Sequence, residues 1–211
     1  MAQKDNETKR LILARAMELI KDKGFDQVTL NDICAASEVS KHTFYYYFQS
    51  KEDLLLDFFV LPKEVTASRL TSILSADHHI DKFWNLTEPI VEFFENMGPE
   101  IARRIVIVNM TRDIGTFDNS KRHQELHKAE ETLLEKAYES GEIRNGSRAA
   151  ELRTIVFLQA MGLVAKWCMS NGSFDLKAST RSAMEIALDV EPSLRIGPPL
   201  QFIRNIQPSK T

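Results

Sequence analysis

The amino-acid sequence predicts an all-α protein of about nine helices. Apolar residues recur at the three- and four-residue spacing of a helix through nearly the whole chain, and no segment alternates apolar and polar residues as a strand does. Glycine and proline, which interrupt helices, number only 8 and 7 in 211 residues. A hydrophobic content of 43% is ordinary for a globular protein, so the chain can bury a core.

The first helix is predicted from about residue 5 to Lys23. Ile12, Ala16 and Ile20 fall on one face of that helix and give it an apolar stripe. Gly24 is placed to end the helix, because glycine readily adopts the left-handed conformation that follows many helices.

Two short helices follow the first one. Thr29, with Asp32 three residues later, has the pattern of a capping box and begins the second helix. After a short break, Ser40 is placed to cap a third helix. Phe44 and Phe48 lie one turn apart on this helix and should both face the core.

The remainder of the chain is also predicted to be helical. A second capping box, Ser50 to Asp53, opens a long fourth helix that Pro62 should kink or divide. A loop is expected at residues 115–119, and the proline-containing tail from residue 192 should be extended or disordered. Five further helices are predicted at about residues 79–97, 99–113, 120–140, 147–170 and 176–189.

The thirteen residues Val39–Lys51 have the most informative chemistry in the chain. They contain no Asp or Glu, but two lysines, a histidine, several hydroxyl side chains and three consecutive tyrosines. Cations, hydroxyl donors and phenols without acids are what a surface facing phosphate requires. The net charge of −3 argues against a general nucleic-acid binder, which usually has a basic excess, so DNA binding would depend on this face.

Three short helices, the second and third joined by a tight turn, match a helix-turn-helix. The third helix of this motif enters the major groove of double-stranded DNA. Tyr46 would donate its hydroxyl to the phosphate backbone, while the side chains at 41–43 and Tyr45 would lie near base edges. The predicted DNA-contacting residues are Thr29, Asn31, Ser40, Lys41, His42, Thr43, Tyr45, Tyr46 and Lys51. The alternative is that these polar side chains are simply solvated and that the tyrosines belong to the core or its rim.

Residues 9–55 resemble the DNA-binding domain of the tetracycline-repressor (TetR) family of bacterial transcription regulators. The resemblance lies in three stretches: Ile12 to Phe25, Val28 to Ile33, and Val39 to Leu54. It implies DNA contacts by the threonine that caps the second helix, by the tyrosine pair and by the lysine that opens the fourth helix. These residues are Thr29, Tyr45, Tyr46 and Lys51.

The sequence departs from the family pattern at two places. The family often has a small residue or proline at the position of His42. Because the imidazole ring of His42 changes the local base contact, the operator sequence does not follow from the resemblance. The turn Ala36-Ser37-Glu38 lacks the usual glycine, and we expect Ser37 to accept the turn geometry without glycine's freedom.

The resemblance also implies that the C-terminal helices pair two subunits and enclose a ligand pocket. The expected organisation is therefore a helix-turn-helix domain at 1–50, a ligand-binding and dimerisation domain at 51–191, and a tail at 192–211. The residues expected to surround a small-molecule effector are Trp84, Phe93, Met97, Asn109, Met110, Phe157 and Met161. The alternative is that the apolar members of this set are ordinary core residues.

The predicted function is that of a sequence-specific, dimeric transcriptional regulator, a repressor that a small molecule releases from a near-palindromic operator. The alternative is a DNA-bound dimer that serves as a protein adaptor and has no effector. The sequence contains no phosphate loop, nucleophile elbow or metal-ligand spacing, so no enzyme activity, metal or cofactor is expected. It also lacks a long apolar run and an apolar N-terminal leader, which predicts a cytoplasmic protein without a membrane span.

Overall fold

The computed structural model of the protein describes residues 2–58, 66–111 and 121–200. These residues form ten α-helices and no β-strand, which confirms the predicted all-α class. The helices are α1 (Ala2–Lys23), α2 (Leu30–Ala36), α3 (Lys41–Tyr47), α4 (Lys51–Phe58), α5 (Ala67–Ser75), α6 (His79–Met97), α7 (Pro99–Thr111), α8 (Lys121–Glu139), α9 (Ala149–Met169) and α10 (Leu176–Ala187).

The helices divide into two compact units. The first unit contains α1 to α4 together with α7 from Glu100 onward, and the second contains α5, α6 and α8 to α10. The chain passes from the second unit to the first between Pro99 and Glu100. The functional boundaries expected at residues 50 and 191 stay a prediction.

The core of the first unit follows the predicted pattern. Ile12, Ala16 and Ile20 are almost completely buried, as a stripe on one face of α1 requires. Gly24 ends α1 with φ of +82°, and its N–H donates to the carbonyl of Ile20 at 2.9 Å. The predicted end of the first helix and its glycine are therefore confirmed.

Nine helices were predicted, and α5 is the additional one. Thr66 caps it by accepting the N–H of Arg69 at 3.2 Å, and none of its residues is fully buried. The sequence analysis did not separate this segment from a long fourth helix, although Leu70, Ile73 and Leu74 recur at helical spacing in it. Pro62 and the expected loop at 115–119 lie outside the described residues.

The core of the second unit lies between α6, α8, α9 and α10. Its fully buried members include Phe83 on α6, Leu134 on α8 and Met184 on α10. By length and composition alone, α9 is apolar enough to cross a membrane. A buried core helix satisfies the same criteria, and Leu152, Val156 and Trp167 of α9 are indeed buried against protein.

A network of charged side chains joins three helices of this unit. The carboxylate of Glu88 on α6 contacts Arg69 on α5 and Lys177 on α10. Glu92 binds the same two cations, at 2.6 and 3.1 Å. Burial alone would raise the pKa of Glu88, but hydrogen bonds from Lys177 and Arg69 lower it below the ordinary value. The network therefore keeps a buried carboxylate ionised.

The chain after α10 folds back on that helix as far as the structure describes it. Pro192–Leu194 form a short 3-10 turn. The N–H groups of Ile196 and Gly197 each donate to the carboxylate of Glu185 at 3.0 Å. The hydroxyl of Ser182 donates to the carbonyl of Pro198 at 2.5 Å. Residues 192–198 are thus held by hydrogen bonds, and the expected tail after residue 200 lies outside the described residues.

Candidate nucleic-acid interface

The N-terminus of α2 is fixed by a reciprocal cap. Thr29 accepts the N–H of Asp32 at 3.2 Å, and the carboxylate of Asp32 accepts the N–H of Thr29 at 2.8 Å. The hydroxyl of Thr29 also donates to that carboxylate at 2.6 Å. These hydrogen bonds from Thr29 lower the pKa of Asp32. The predicted capping box is confirmed.

The turn between α2 and α3 corrects one detail of the sequence analysis. Ser37 keeps φ of −96°, and it is Glu38 that adopts the left-handed conformation, with φ of +54°. Ser37 is buried and its hydroxyl donates to the carbonyl of Ile33, which satisfies a carbonyl at the helix end. The left-handed position of the turn is thus occupied by an exposed glutamate and not by Ser37.

Helix α3 is held from behind by two phenylalanines. Ser40 caps it by accepting the N–H of Thr43 at 3.0 Å. Phe44 and Phe48 are buried with their ring centroids 5.5 Å apart, and the Tyr45 ring meets Phe44 edge to face at 5.7 Å. The predicted inward positions are confirmed, and they fix which face of α3 is presented outward.

The outward face of α3 carries two of the predicted tyrosines, a lysine and a histidine. Tyr45 and Tyr46 are 55% and 69% exposed, far more than aromatic side chains that belong to a core. Lys41 and His42 are exposed beside them, whereas Thr43 is half-buried. Asn31 on α2 and Ser40 are also exposed. The alternative that these tyrosines are core residues is therefore excluded.

Lys51 is placed differently from a simple surface cation. Its ammonium donates to the carbonyls of Phe25 and Val28, at 2.6 and 2.8 Å, and lies 4.1 Å from the centre of the Phe25 ring. Two of its three N–H groups are thus used inside the protein. Lys51 ties the first turn of α4 to the loop before α2.

Two residues of α7 that the sequence analysis missed hold the same loop. Glu100 accepts the N–H of Phe25 at 3.0 Å, and Arg104 pairs with Asp26 while its guanidinium lies 5.4 Å from the centre of the Phe25 ring. These contacts span about 75 residues of sequence. No local pattern predicts them, because an acid in the first turn of a helix is ordinary.

The seven residues expected to surround a ligand are divided between the two units. Asn109 and Met110 lie on α7 in the first unit; Met110 is 78% exposed, and the Asn109 amide donates to the carbonyl of Ile105. The other five lie in the second unit, where Trp84 and Met97 are buried. These five residues are Trp84, Phe93, Met97, Phe157 and Met161.

An open cleft of about 390 Å³ lies elsewhere in the second unit. Its lining includes the buried Leu134 and Leu152 and the polar residues Glu131, Tyr138 and Arg148. None of the seven predicted ligand residues lines it. Within the described residues, no group of three or more His, Cys, Asp or Glu side chains could hold a metal ion.

Two short capped helices joined by a tight turn, with an exposed face of two tyrosines, a lysine and a histidine, define a helix-turn-helix DNA-binding protein. Comparison with known families agrees with this class. The family described as "Bacterial regulatory proteins, tetR family" matches residues 12–58, which include α2, α3 and α4.

Similar proteins extend the likeness beyond this segment. The fatty acid metabolism regulator protein of Bacillus subtilis (strain 168) is 24% identical over 197 residues, which cover 83% of this chain and 91% of that protein. The HTH-type transcriptional regulator AcrR of Shigella flexneri is 24% identical over 208 residues, which cover 92% of this chain and 94% of AcrR. Residues 12–58 of the chain thus form a DNA-binding domain of the TetR family of bacterial transcriptional regulators.

Solved structures show the same fold along most of the chain. The TetR family regulator PfmR from Thermus thermophilus aligns with a TM-score of 0.52 and 16% identity, over 85% of this chain and 97% of PfmR. RolR in complex with the ligand resorcinol aligns with a TM-score of 0.55 and 18% identity, over 95% of this chain and all of RolR.

Proposed function

We propose that this transcriptional regulator is a homodimeric repressor that leaves a near-palindromic operator when a small molecule binds to its second unit. The observation that carries the DNA-binding part is the outward face of α3. There, two tyrosines and two cationic or titratable side chains are exposed while Phe44 and Phe48 hold the helix from inside. Acidic residues are absent from this helix, so nothing on it repels phosphate.

The proposed contacts follow the exposure of each side chain. Tyr46 donates its hydroxyl to a phosphate, and Lys41 and His42 reach base edges together with their neighbours. Thr29 contributes through the position of α2, because its hydroxyl and N–H are both directed to Asp32. The ammonium of Lys51 keeps one N–H for a phosphate. The proposed DNA-binding set is Thr29, which acts through α2, together with the contacting residues Asn31, Ser40, Lys41, His42, Thr43, Tyr45, Tyr46 and Lys51.

An exposed apolar stripe supports the proposed dimer. Ile155, Leu158 and Met169 of α9 are 47%, 62% and 74% exposed, and they recur at helical spacing with Gly162 between them. A side chain added at Gly162 would meet nothing within 4 Å, so a second helix can approach closely there. Ile186 of α10 is also 59% exposed. A two-fold dimer through this stripe would present two α3 helices to two operator half-sites.

The effector is proposed to bind among the predicted aromatic and methionine side chains of the second unit. Two similar proteins support an effector: one is named for fatty acid metabolism, and RolR has been seen with resorcinol. A coupling free energy of about 1–3 kcal/mol between ligand and DNA would weaken operator binding several-fold or more. The proposed ligand-contacting residues are Trp84, Phe93, Met97, Phe157 and Met161.

The same proposal gives the protein a regulatory role without catalysis, in the cytoplasm, where its DNA lies. The adaptor function is not favoured, since the named relatives are regulators of metabolism and transcription. A native mass spectrum distinguishes the two: a retained small molecule that releases the operator supports the effector. Ligand-free protein that captures one protein partner would support the adaptor.

The DNA-binding face is tested on the operator obtained by selecting bound DNA from a random pool. Replacing Tyr46 by Phe removes one hydroxyl donor, so affinity for all sequences should fall about fivefold. Replacing His42 by Ala should instead change the preferred base near α3. Tyr138→Phe is the matched control, because Tyr138 is 53% exposed on α8 of the second unit. Equal affinities for the Tyr46 and Tyr138 variants would contradict the proposed face.

A further inference from the structure

The loop between α1 and α2, residues 24–28, contains backbone groups that are hydrogen-bonded to side chains and not within a helix. They are the N–H of Phe25 and the carbonyls of Phe25 and Val28. Phe25 and Val28 in this loop are each 1% exposed, so their peptide groups lie at the edge of the core. Peptide groups removed from water require hydrogen-bond partners. Side chains from α4 and α7 supply them.

Lys51, Glu100 and Arg104 hold the loop 24–28 between them, and we call this set of contacts the clamp. The first turn of α4 supplies its hydrogen-bond donor. Lys51 donates to both the Phe25 and Val28 carbonyls and caps the face of the Phe25 ring. One ammonium thus joins two carbonyls that are three residues apart in the loop. Hydrogen bonds from a charged donor are roughly twice as strong as those between neutral groups.

The first two turns of α7 supply the acceptor side. Glu100 accepts the Phe25 N–H, and its carboxylate also lies 3.4 Å from the position of a side chain added at Gly24. Arg104 covers the Phe25 ring from α7 and pairs with Asp26. The Arg104–Asp26 pair is exposed and contributes little by itself. The hydrogen bond of Glu100 is partly buried, because its donor belongs to the buried Phe25, while Glu100 itself is exposed.

The clamped loop leads directly into the DNA-reading helices. Val28 is followed by Thr29, which caps α2, and α2 leads through the turn at Glu38 into α3. A displacement of the loop therefore moves Thr29 and α2, and with them α3. Glu100 is also the first residue of the first unit after the chain returns from the second.

We propose that Glu100 is a positioning residue for DNA binding, which together with Arg104 and Lys51 sets the place of the loop 24–28 and so of α2 and α3. Glu100 does not contact DNA in this proposal. Its carboxylate acts through the Phe25 N–H.

The charge of Glu100 makes the proposal sharply testable. DNA is an anion, so removal of any acid from the first unit should strengthen binding if only long-range electrostatics matters. A positioning role predicts the opposite sign. The affinity should fall although a negative charge has been removed.

The test compares Glu100→Ala, Glu100→Gln and Glu139→Ala in the full-length protein bound to the selected operator. All three remove one negative charge; Gln keeps an oxygen that can accept the Phe25 N–H, and Glu139 is an exposed acid on α8. We expect Glu100→Ala to weaken operator binding roughly three- to tenfold with an unchanged salt dependence. Glu100→Gln should stay within about twofold of the parent protein, and Glu139→Ala should not weaken binding.

Hydrogen exchange of the Phe25 amide and the melting temperature complete the test. In Glu100→Ala this amide should exchange faster while the rest of the protein keeps its protection and its melting temperature. Operator affinity as strong as in the parent protein, despite a faster-exchanging Phe25 amide, would overturn the proposal. So would equal losses in the Ala and Gln variants, or a loss explained by the unfolded fraction.

Discussion

At the scale of single residues, the two buried acids Glu88 and Glu130 show how a partner decides the state of a carboxyl group. Both are 6% exposed. Glu88 is bound by Arg69 and Lys177, so its pKa is lowered. Burial raises the pKa of Glu130 from 4.5 to about 7, and the nearby Arg153 offsets only part of this. A cation at hydrogen-bond distance keeps one acid ionised, and its absence leaves the other protonated up to about neutral pH.

Replacing Glu130 by Gln should remove a pH dependence of folding stability. Because the folded protein holds this proton more tightly than the unfolded chain, the free energy of unfolding falls as pH rises from about 4.5 to about 7. A permanently neutral amide has no such loss. The variant should therefore be more stable than the parent protein at pH 8, by about 2 kcal/mol, and similar to it at pH 5.

Urea unfolding at pH 5 and pH 8 measures this difference. Glu125→Gln is the control, because Glu125 lies on the same helix and is exposed. If the gain in the Glu130 variant were equal at both pH values, the carboxyl group would not be titrating between them, and the raised pKa would be wrong.

At the scale of elements, the sequence predicted the end of α1 and the caps of α2 and α3, but it missed the long-range contacts that hold these helices. The caps Thr29 and Ser40 were predictable, since each bonds to a residue three positions away. The inward positions of Phe44 and Phe48 follow from spacing alone. The bond from Phe25 to Glu100 was not predictable, because it joins residues 75 positions apart and neither is unusual in its own segment.

The chain after α10 gives an element-scale prediction. A side chain at Gly197 would collide with the Ser182 hydroxyl and lie 2.7 Å from the Ser182 Cα, so Gly197→Ala should detach residues 196–200 from α10. The free energy of unfolding should fall by roughly 1 kcal/mol, as hydrogen bonds to Glu185 are lost. Faster hydrogen exchange of the Ile196 amide and earlier proteolysis after α10 would report the detachment.

The control for this variant is Ser193→Ala, because Ser193 is exposed in the same segment. Protection of Ile196 that survived in the Gly197 variant would show that α10 yields instead and that the segment is held by other contacts.

At the scale of the whole molecule, the all-α class and most helix bounds followed from periodicity, whereas the division into units did not. Helix α7 directly follows α6 in sequence, with only Gly98 between them, yet from Glu100 it belongs to the unit of α1 to α4. Periodicity identifies an inward face but not the partner of that face. The membership of α7 is decided by tertiary contacts such as that of Arg104 with Asp26.

Leu158→Lys should convert the proposed dimer into a monomer. Leu158 is 62% exposed on α9, and a lysine there would place two like charges at a two-fold interface. Operator affinity should fall by at least about a hundredfold, because the two half-sites would then be bound independently. Sedimentation velocity and operator titration measure the two effects.

Leu74→Lys is the control for the dimer, since Leu74 is 73% exposed on α5 in the same unit. A Leu158 variant that sediments as the parent protein does would place the subunit contact on another surface.

The return of the chain at Glu100 bears on how hybrid regulators should be built from this protein. A graft that transfers only the first fifty or sixty residues to another body would leave behind the carboxylate that receives the Phe25 N–H. The recipient would then have to provide an equivalent group from its own corresponding helix. An exchange of DNA specificity between regulators should therefore transfer two segments, the N-terminal DNA-binding helices and residues 100–111 of α7.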